Sequence, residues 1–272
     1  LSLSLTEANY HSKEANRAFC SASQFKDFYG AAGLPGCEAK ALAKITGEWT
    51  FCKGGDEEPS IAMMIGSYVD AHFSGTLPTF RAQTPELFKK DGSLKATFEN
   101  AGEMIDVIEA DPLFMKTLTG GKQFIGVAEF FGLPWKFKLD VYCPGKSITD
   151  LKTTKSITNL EWNLTHNKKI SFIEAWGYDI QGGIYQKGIE VLTGDRLPFF
   201  ISAISKEKHP DKEVFNLSQA LLDNALFHVE SMSERLMKVK AGEIPPKRCG
   251  VCAYCRKTKK LVAPVLFPAA VA

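Results

Sequence analysis

Asp140, Asp150 and Lys152 have types and spacing that suit metal-assisted hydrolysis. Along residues 135–143, Trp135, Phe137, Leu139, Val141 and Cys143 alternate with Lys136, Lys138, Asp140 and Tyr142, the two-residue period of a strand with one apolar and one charged face. Asp150 and Lys152 are two apart on the next extended run and so point the same way. A two-residue connection at Pro144-Gly145 would pair Leu139 with Asp150 and put the two aspartates on opposite faces. A three-residue connection, Pro144-Gly145-Lys146, pairs Asp140 with Asp150, with side-chain carbons about 5 Å apart. The odd connection is the expected one, because it collects the charged groups on one side. Carboxylates that close repel unless a cation lies between them, and hard oxygen donors at a partly open site suit Mg²⁺ or Mn²⁺. Lys152 beside such an ion would orient or activate a water and offset charge on a phosphate transition state. One strand earlier, Glu129 shares a face with Val127 and Phe131, and a carboxylate among apolar neighbours needs a partner; the same ion would serve. For any single pair, the structural alternative is a salt-bridged hairpin.

The elements that must hold these groups follow from periodicity and turn chemistry. Residues 124–131, 135–143 and 147–152 are aromatic and β-branched runs separated by Gly132-Leu133-Pro134 and Pro144-Gly145. They are expected to form a three-strand antiparallel meander. Helices are expected over residues 5–15, from Ser21 behind capping hydroxyls, over 38–45, 60–73 and 94–110, then over 173–192 and 218–240, with one more strand at 198–205. That order indicates an α/β (α+β) core. Within the helix at 60–73, Ile61, Ile65, Tyr68 and His72 form one face. On the helix at 173–192, Ile173, Trp176, Ile180 and Ile184 form the core stripe, and Gln181 and Tyr185 lie beside it, one turn apart. Its four glycines (177, 182, 183 and 188) indicate that the sheet or a DNA backbone approaches closely.

The order Gly66…His72, Glu129, Leu139-Asp140, Asp150-Leu151-Lys152 and Gln181-Gly-Gly-Ile-Tyr185 resembles the RecB-like branch of the PD-(D/E)xK nuclease superfamily, most closely the RecE-type phage exonucleases (exodeoxyribonuclease VIII-like). No Pro precedes Asp140, and the acidic residue before Lys152 is Asp; neither change removes a metal-binding oxygen. The resemblance implies a restriction-endonuclease-like core with a central mixed sheet flanked by helices. It implies Asp140 and Asp150 as principal metal ligands and His72 as a further ligand. Glu129 would bind or position a second ion, Lys152 would serve the attacking water, and Gln181 and Tyr185 would support the substrate side. The activity so implied is a Mg²⁺-dependent DNA exonuclease acting at double-stranded ends, 5′→3′, in phage-type recombination. A single-strand annealing protein as partner and a homo-oligomeric ring belong to the same expectation. The rival reading is a non-catalytic DNA-binding module with a cysteine metal centre.

Cys249-Gly-Val-Cys252-Ala-Tyr-Cys255 sets three thiols at spacings that metal centres use, for an Fe–S cluster or, with a fourth ligand, for zinc; reduced thiols on a basic tail are the third reading. Some RecB-like nucleases carry a 4Fe–4S cluster made by one cysteine before the core and three after it. By that resemblance Cys37 is the early partner, with Cys20 and Cys52 as competitors.

The chain has 272 residues, 44% hydrophobic and 24% charged, the composition of a globular protein. Residues 1–240 are read as the nuclease-like domain and 241–272 as a basic, cysteine-containing segment. Between Lys238 and Lys260 there are eight Lys and Arg against the single Glu243, while the formal net charge of the whole chain is only +2. A mildly acidic body with a basic end points to an anionic partner such as DNA, with Lys247, Arg248, Arg256 and Lys257 suited to phosphate contact. The longest uncharged apolar stretch, 261–272, is short and broken by Pro264 and Pro268, so no membrane span is expected. The odd cysteine count of seven and the lack of a secretory leader pattern favour a reducing, cytoplasmic setting.

Overall fold

Serine side chains start several of the helices that surround the central sheet. In the computed structural model, which describes residues 3–49, 60–163 and 167–264, the amino-terminal part holds α1 (Lys13–Ala18), α2 (Ala22–Tyr29), a small ribbon of β1 (Gly30–Ala31) and β2 (Leu34–Pro35), and α3 (Glu38–Thr46). It continues through α4 (Ile61–Ser74), α5 (Leu77–Gln83), α6 (Asn100–Glu109) and α7 (Pro112–Thr117). Ser12, Ser21 and Ser60 accept from the backbone N–H three residues on, opening α1, α2 and α4, each cap worth ~1 kcal/mol. Cys52 and the chain from residue 265 onward lie outside the described residues.

The meander is present as β3 (Gly121–Phe130), β4 (Leu133–Cys143) and β5 (Ser147–Thr154). A short ribbon, β6 (Glu161–Asn163) and β7 (Lys168–Ile170), precedes α8 (Phe172–Ala175) and α9 (Tyr178–Thr193). Then come β8 (Phe199–Ser205), β9 (Lys212–Asn216), α10 (Gln219–Ala241) and α11 (Ala253–Lys257). The central sheet has the order β3-β4-β5-β8-β9. It is antiparallel except that β8 lies parallel to β5, which the crossover through α8 and α9 permits. One face carries Trp135, Phe137, Leu139, Ile148, Phe199 and Ile201 against α2, α9 and α10. The other carries Leu151, Ile204 and Val214 against α4 and α6. Among the described residues no helix is long and apolar enough to cross a membrane.

Four expectations change. Val141 packs with α4 and α6, and Cys143 packs against that cluster, on the face opposite Leu139. The β3–β4 ladder omits the Gln123–Asp140 pair, and Gln123 is left-handed (φ 53°), so the faces exchange at that point. The helix expected over 173–192 is two helices, broken at Gly177 (φ 64°), and this break leaves Trp176 exposed at 43% instead of in the core stripe. Residues 7–11 form turns, with Thr6 N–H donating to Asn9 Oδ1, so the first helix begins only at Lys13. Regular helix in the 94–110 region begins at Asn100, after a single 3₁₀ turn at Ala96–Phe98. The polar edge strand β9 carries too little alternation to be read in advance. The close approach signalled by the α9 glycines is made by protein: a Cβ at Gly188 would strike the Phe137 ring of the sheet.

Candidate active site

The fork between β4 and β5 places the carboxylates. Val141–Thr149, Tyr142–Ile148 and Cys143–Ser147 are paired, so the connection is the three-residue Pro144-Gly145-Lys146, as the charge argument requires. Beyond Val141 the two strands part. The Asp140 carboxylate fills the gap, its Oδ2 accepting from the Leu151 N–H at 2.9 Å. Asp150 is 3% exposed; its Oδ1 accepts from Gln181 Nε2 at 2.8 Å, and its Oδ2 meets the Lys152 ammonium. The strand period that aims Asp150 and Lys152 the same way also aims both at the start of α9, where Lys152 Nζ lies 4.9 Å from the Tyr178 ring centre. Tyr185, one turn beyond Gln181, is buried with its ring against Phe137 and Phe199.

A third carboxylate comes from α4. Gly66 lets this helix sit against β5, since a Cβ there would stand 2.6 Å from Thr153 Oγ1. Asp70, one turn on, lines the same 890 Å³ cleft as Lys152, Tyr178, Trp176 and Lys206. Burial raises the Asp70 carboxyl above its usual range, with Lys152 and Lys138 pulling it down and Asp150 pushing it up. Asp140 is raised well above the carboxylate range, first by burial and then by the charge of Asp150, with Asp70 adding to it. Burial alone would lower Lys152, but Asp150 and Asp140 reverse this and hold the ammonium charged. At the cleft margin burial lowers Lys206 to about 8. Burial, then Lys152, lowers Lys26 to about 8, and this ammonium donates to the Trp176 carbonyl at 3.1 Å.

This donor set fits a hard divalent cation. Asp70, Asp140 and Asp150 are mutually repelling oxygen donors, the buried Asp150 Oδ2 meets only the Lys152 ammonium among the described residues, and the cleft leaves room for water. A divalent ion would offset the burial of these carboxylates and the repulsion among them, the two causes that raise Asp140.

Two expected site residues lie elsewhere. His72 Nε2 pairs with Glu109 Oε1 of α6 at 2.8 Å. It is two residues past Asp70 on α4, and therefore on a different side of the helix. Glu129 is exposed and opposite Pro134, whereas the position opposite Asp140 is Gln123; six residues of strand put Glu129 about 20 Å from the fork. Asp70 is the carboxylate missed. Its signal was an acid four residues after Gly66, the one carboxylate in a mostly apolar helix.

The cysteines form a second cluster. Cys37, at the amino-terminal cap of α3, meets Cys249, Cys252 and Cys255, and all four Sγ atoms lie within 4.8 Å of one another. Cys20 is buried in the main core, where Lys240 Nζ reaches its Sγ at 3.6 Å, and takes no part.

A mixed sheet with an antiparallel meander, helices on both faces and an Asp, Asp-x-Lys fork defines a nuclease-type domain of the PD-(D/E)xK class. Residues 21–258 match the family described as PDDEXK-like domain of unknown function (DUF3799), and the chain belongs to that family. The crystal structure of a Eubacterium rectale protein described as a candidate exonuclease is 42% identical, with a TM-score of 0.89 over 97% of each chain. No curated protein matches the sequence.

Proposed function

We propose that the protein is a divalent-metal-dependent deoxyribonuclease, an exonuclease working from duplex DNA ends. The observation that carries the reading is the fork itself, where Asp140, Asp150 and Lys152 are drawn together with Asp70 beside an 890 Å³ cleft. Asp70, Asp140 and Asp150 would hold Mg²⁺ or Mn²⁺, which supplies Lewis-acid stabilisation of phosphate charge and an activated water. Gln181 keeps the Asp150 carboxylate aimed by its amide hydrogen bond. The Lys152 ammonium, bracketed by Asp150 and the Tyr178 ring, orients the attacking water and faces the scissile phosphate. Tyr185 packs behind Gln181 and keeps that side of the site dry. Lys206 and the exposed Trp176 at the cleft margin suit a phosphate contact and a base-stacking contact. The RecE-like motif order supports 5′→3′ resection, a ring-like oligomer and an annealing partner as the finer reading. The motifs and the 42% identical Eubacterium rectale structure support an exonuclease over an endonuclease.

The test is incubation of linear and circular duplex DNA with the purified protein, with Mg²⁺ or with chelator. Loss of linear DNA alone, only with metal, is the expected result. A labelled duplex that is bound but never shortened with Mg²⁺ or Mn²⁺ would show a DNA-binding module instead.

A further inference from the structure

The four-cysteine centre stands apart from the carboxylate fork, and its dimensions discriminate between metals. A single tetrahedral ion with metal–sulfur bonds of about 2.3 Å holds its sulfurs a little under 4 Å apart. A cubane places a separate iron behind each thiolate and drives the sulfurs to roughly 6 Å. Here Cys37 and Cys255 Sγ are 3.6 Å apart, Cys249 and Cys255 are 3.9 Å apart, and no pair exceeds 4.8 Å. The cage is too small for four irons and matches one ion.

The backbone around the thiols agrees. The Cys252 N–H points at Cys249 Sγ at 3.3 Å and the Cys255 N–H at Cys252 Sγ at 3.4 Å, so each Cys-x-x-Cys step folds an amide back onto a sulfur and fixes the direction in which that sulfur faces. Gly250 makes the first of these turns with φ 77°. Cys37 occupies the amino-terminal cap position of α3, which brings its sulfur to Cys255 Sγ at 3.6 Å. Four thiolates around a dication carry two net negative charges, and Lys247, Arg248, Arg256 and Lys257 surround them in sequence. Arg248 turns back to the centre, donating to the Cys255 carbonyl at 3.1 Å. All four ligand positions are protein sulfurs, which leaves no open position for substrate and makes the site structural. Divalent zinc outcompetes ferrous iron at such a site.

We propose that Cys37, Cys249, Cys252 and Cys255 bind one tetrahedral zinc ion, and that this ion, not an iron–sulfur cluster, pins the carboxy-terminal segment to α3. The clasp has a second half next to it. Glu38 forms a two-point ion pair with Arg235 of α10 at 2.6 and 2.7 Å and accepts from the Lys247 N–H at 2.7 Å. The ion therefore joins the start of α3 to residues 249–255 where α10 already meets them. Because α3 packs on α2, which carries Lys26, loss of the ion loosens the helical wall beside the cleft without touching the carboxylates. This inference does not depend on the nuclease reading.

The test is metal and sulfide analysis of the full chain, purified anaerobically without chelator from cells supplied with both iron and zinc. The expected result is a colourless protein with one zinc per chain and no acid-labile sulfide, in which cobalt replacing zinc gives the visible bands of a tetrahedral tetrathiolate. Cys252→Ser should lose the zinc and Asp150→Asn should keep it. A brown protein with labile sulfide, one iron per chain in place of zinc, no bound metal, or zinc lost from Asp150→Asn but kept by Cys252→Ser would each overturn the proposal.

Discussion

The carboxylate fork and the cysteine cage both gather metal donors, and they are opposite in construction. The fork takes hard oxygens from α4, β4 and β5, leaves one side facing an 890 Å³ cleft, and sets a lysine against its own ligand. The cage takes four soft sulfurs from residues 218 positions apart in the case of Cys37 and Cys255, closes them within 4.8 Å and leaves no position free. An open oxygen site can exchange water and substrate, while a closed sulfur site can only hold chain segments together. On the proposed assignments, this difference in donor and openness would divide chemistry from architecture.

The sharpest way to break this division is to neutralise the fork. Asp150→Asn keeps the Gln181 hydrogen bond but removes a metal-binding charge, so cleavage of linear duplex should fall about a thousandfold or more with an unchanged circular dichroism spectrum. Lys152→Met should cost about a hundredfold or more in rate, seen as a lower kcat with DNA affinity largely kept; an unchanged rate in the folded variant would remove Lys152 from the account. Asp70→Asn should likewise cost about a hundredfold, whereas Glu129→Gln and His72→Ala should stay within about twofold of wild type. That contrast sharpens where the fork ends.

These last residues show what the sequence carried and what it did not. The strand alternation and the three-residue Pro144-Gly145-Lys146 connection were legible because both rest on local geometry. The expected direct cross-strand pairing of Asp140 with Asp150 is not made: the ladder ends at Val141–Thr149, and the Asp140 carboxylate turns into the gap to accept from the Leu151 N–H. The trio Cys249, Cys252 and Cys255 was legible from its spacing, whereas Cys37, over Cys20 and Cys52, came from the resemblance to RecB-like nucleases. Glu129 was misplaced because register is set by the whole hairpin, and pairing through Phe130 and Leu133 puts Gln123, not Glu129, opposite Asp140. Asp70 was hidden because a helix face is assigned from its apolar residues, and the close approach of α4 to β5 at Gly66 is a tertiary fact. The exchange of faces at Val141 depended on the left-handed backbone of Gln123, which a side chain of that type does not announce.

Breaking the cage should have a smaller and different effect. Cys252→Ser should lower the melting temperature by on the order of 5 °C or more, with the cleavage rate per folded molecule changed only a few-fold. The smallest effect lies away from both sites. Lys136 is 1% exposed; it donates to the Tyr10 carbonyl and to Asn16 Oδ1, and burial, then Lys240, lowers it from 10.5 to about 8. His11 and the Tyr10 ring are its other polar neighbours. Because the unfolded chain binds the proton more tightly, stability should rise as pH goes from about 8 toward 10.5, the folded-state cost being present in full below that window. Lys136→Met should flatten this rise in thermal melts run across pH.

The central claim is that cutting occurs at the fork and requires its carboxylates. The most direct measurement compares wild type and Asp150→Asn, purified side by side, on an end-labelled linear duplex with Mg²⁺, following both binding and shortening. The account predicts that wild type shortens the DNA and that chelator stops it, while Asp150→Asn binds the same duplex and leaves its length unchanged. Equal shortening by both proteins, or no shortening by wild type with either Mg²⁺ or Mn²⁺, would contradict it.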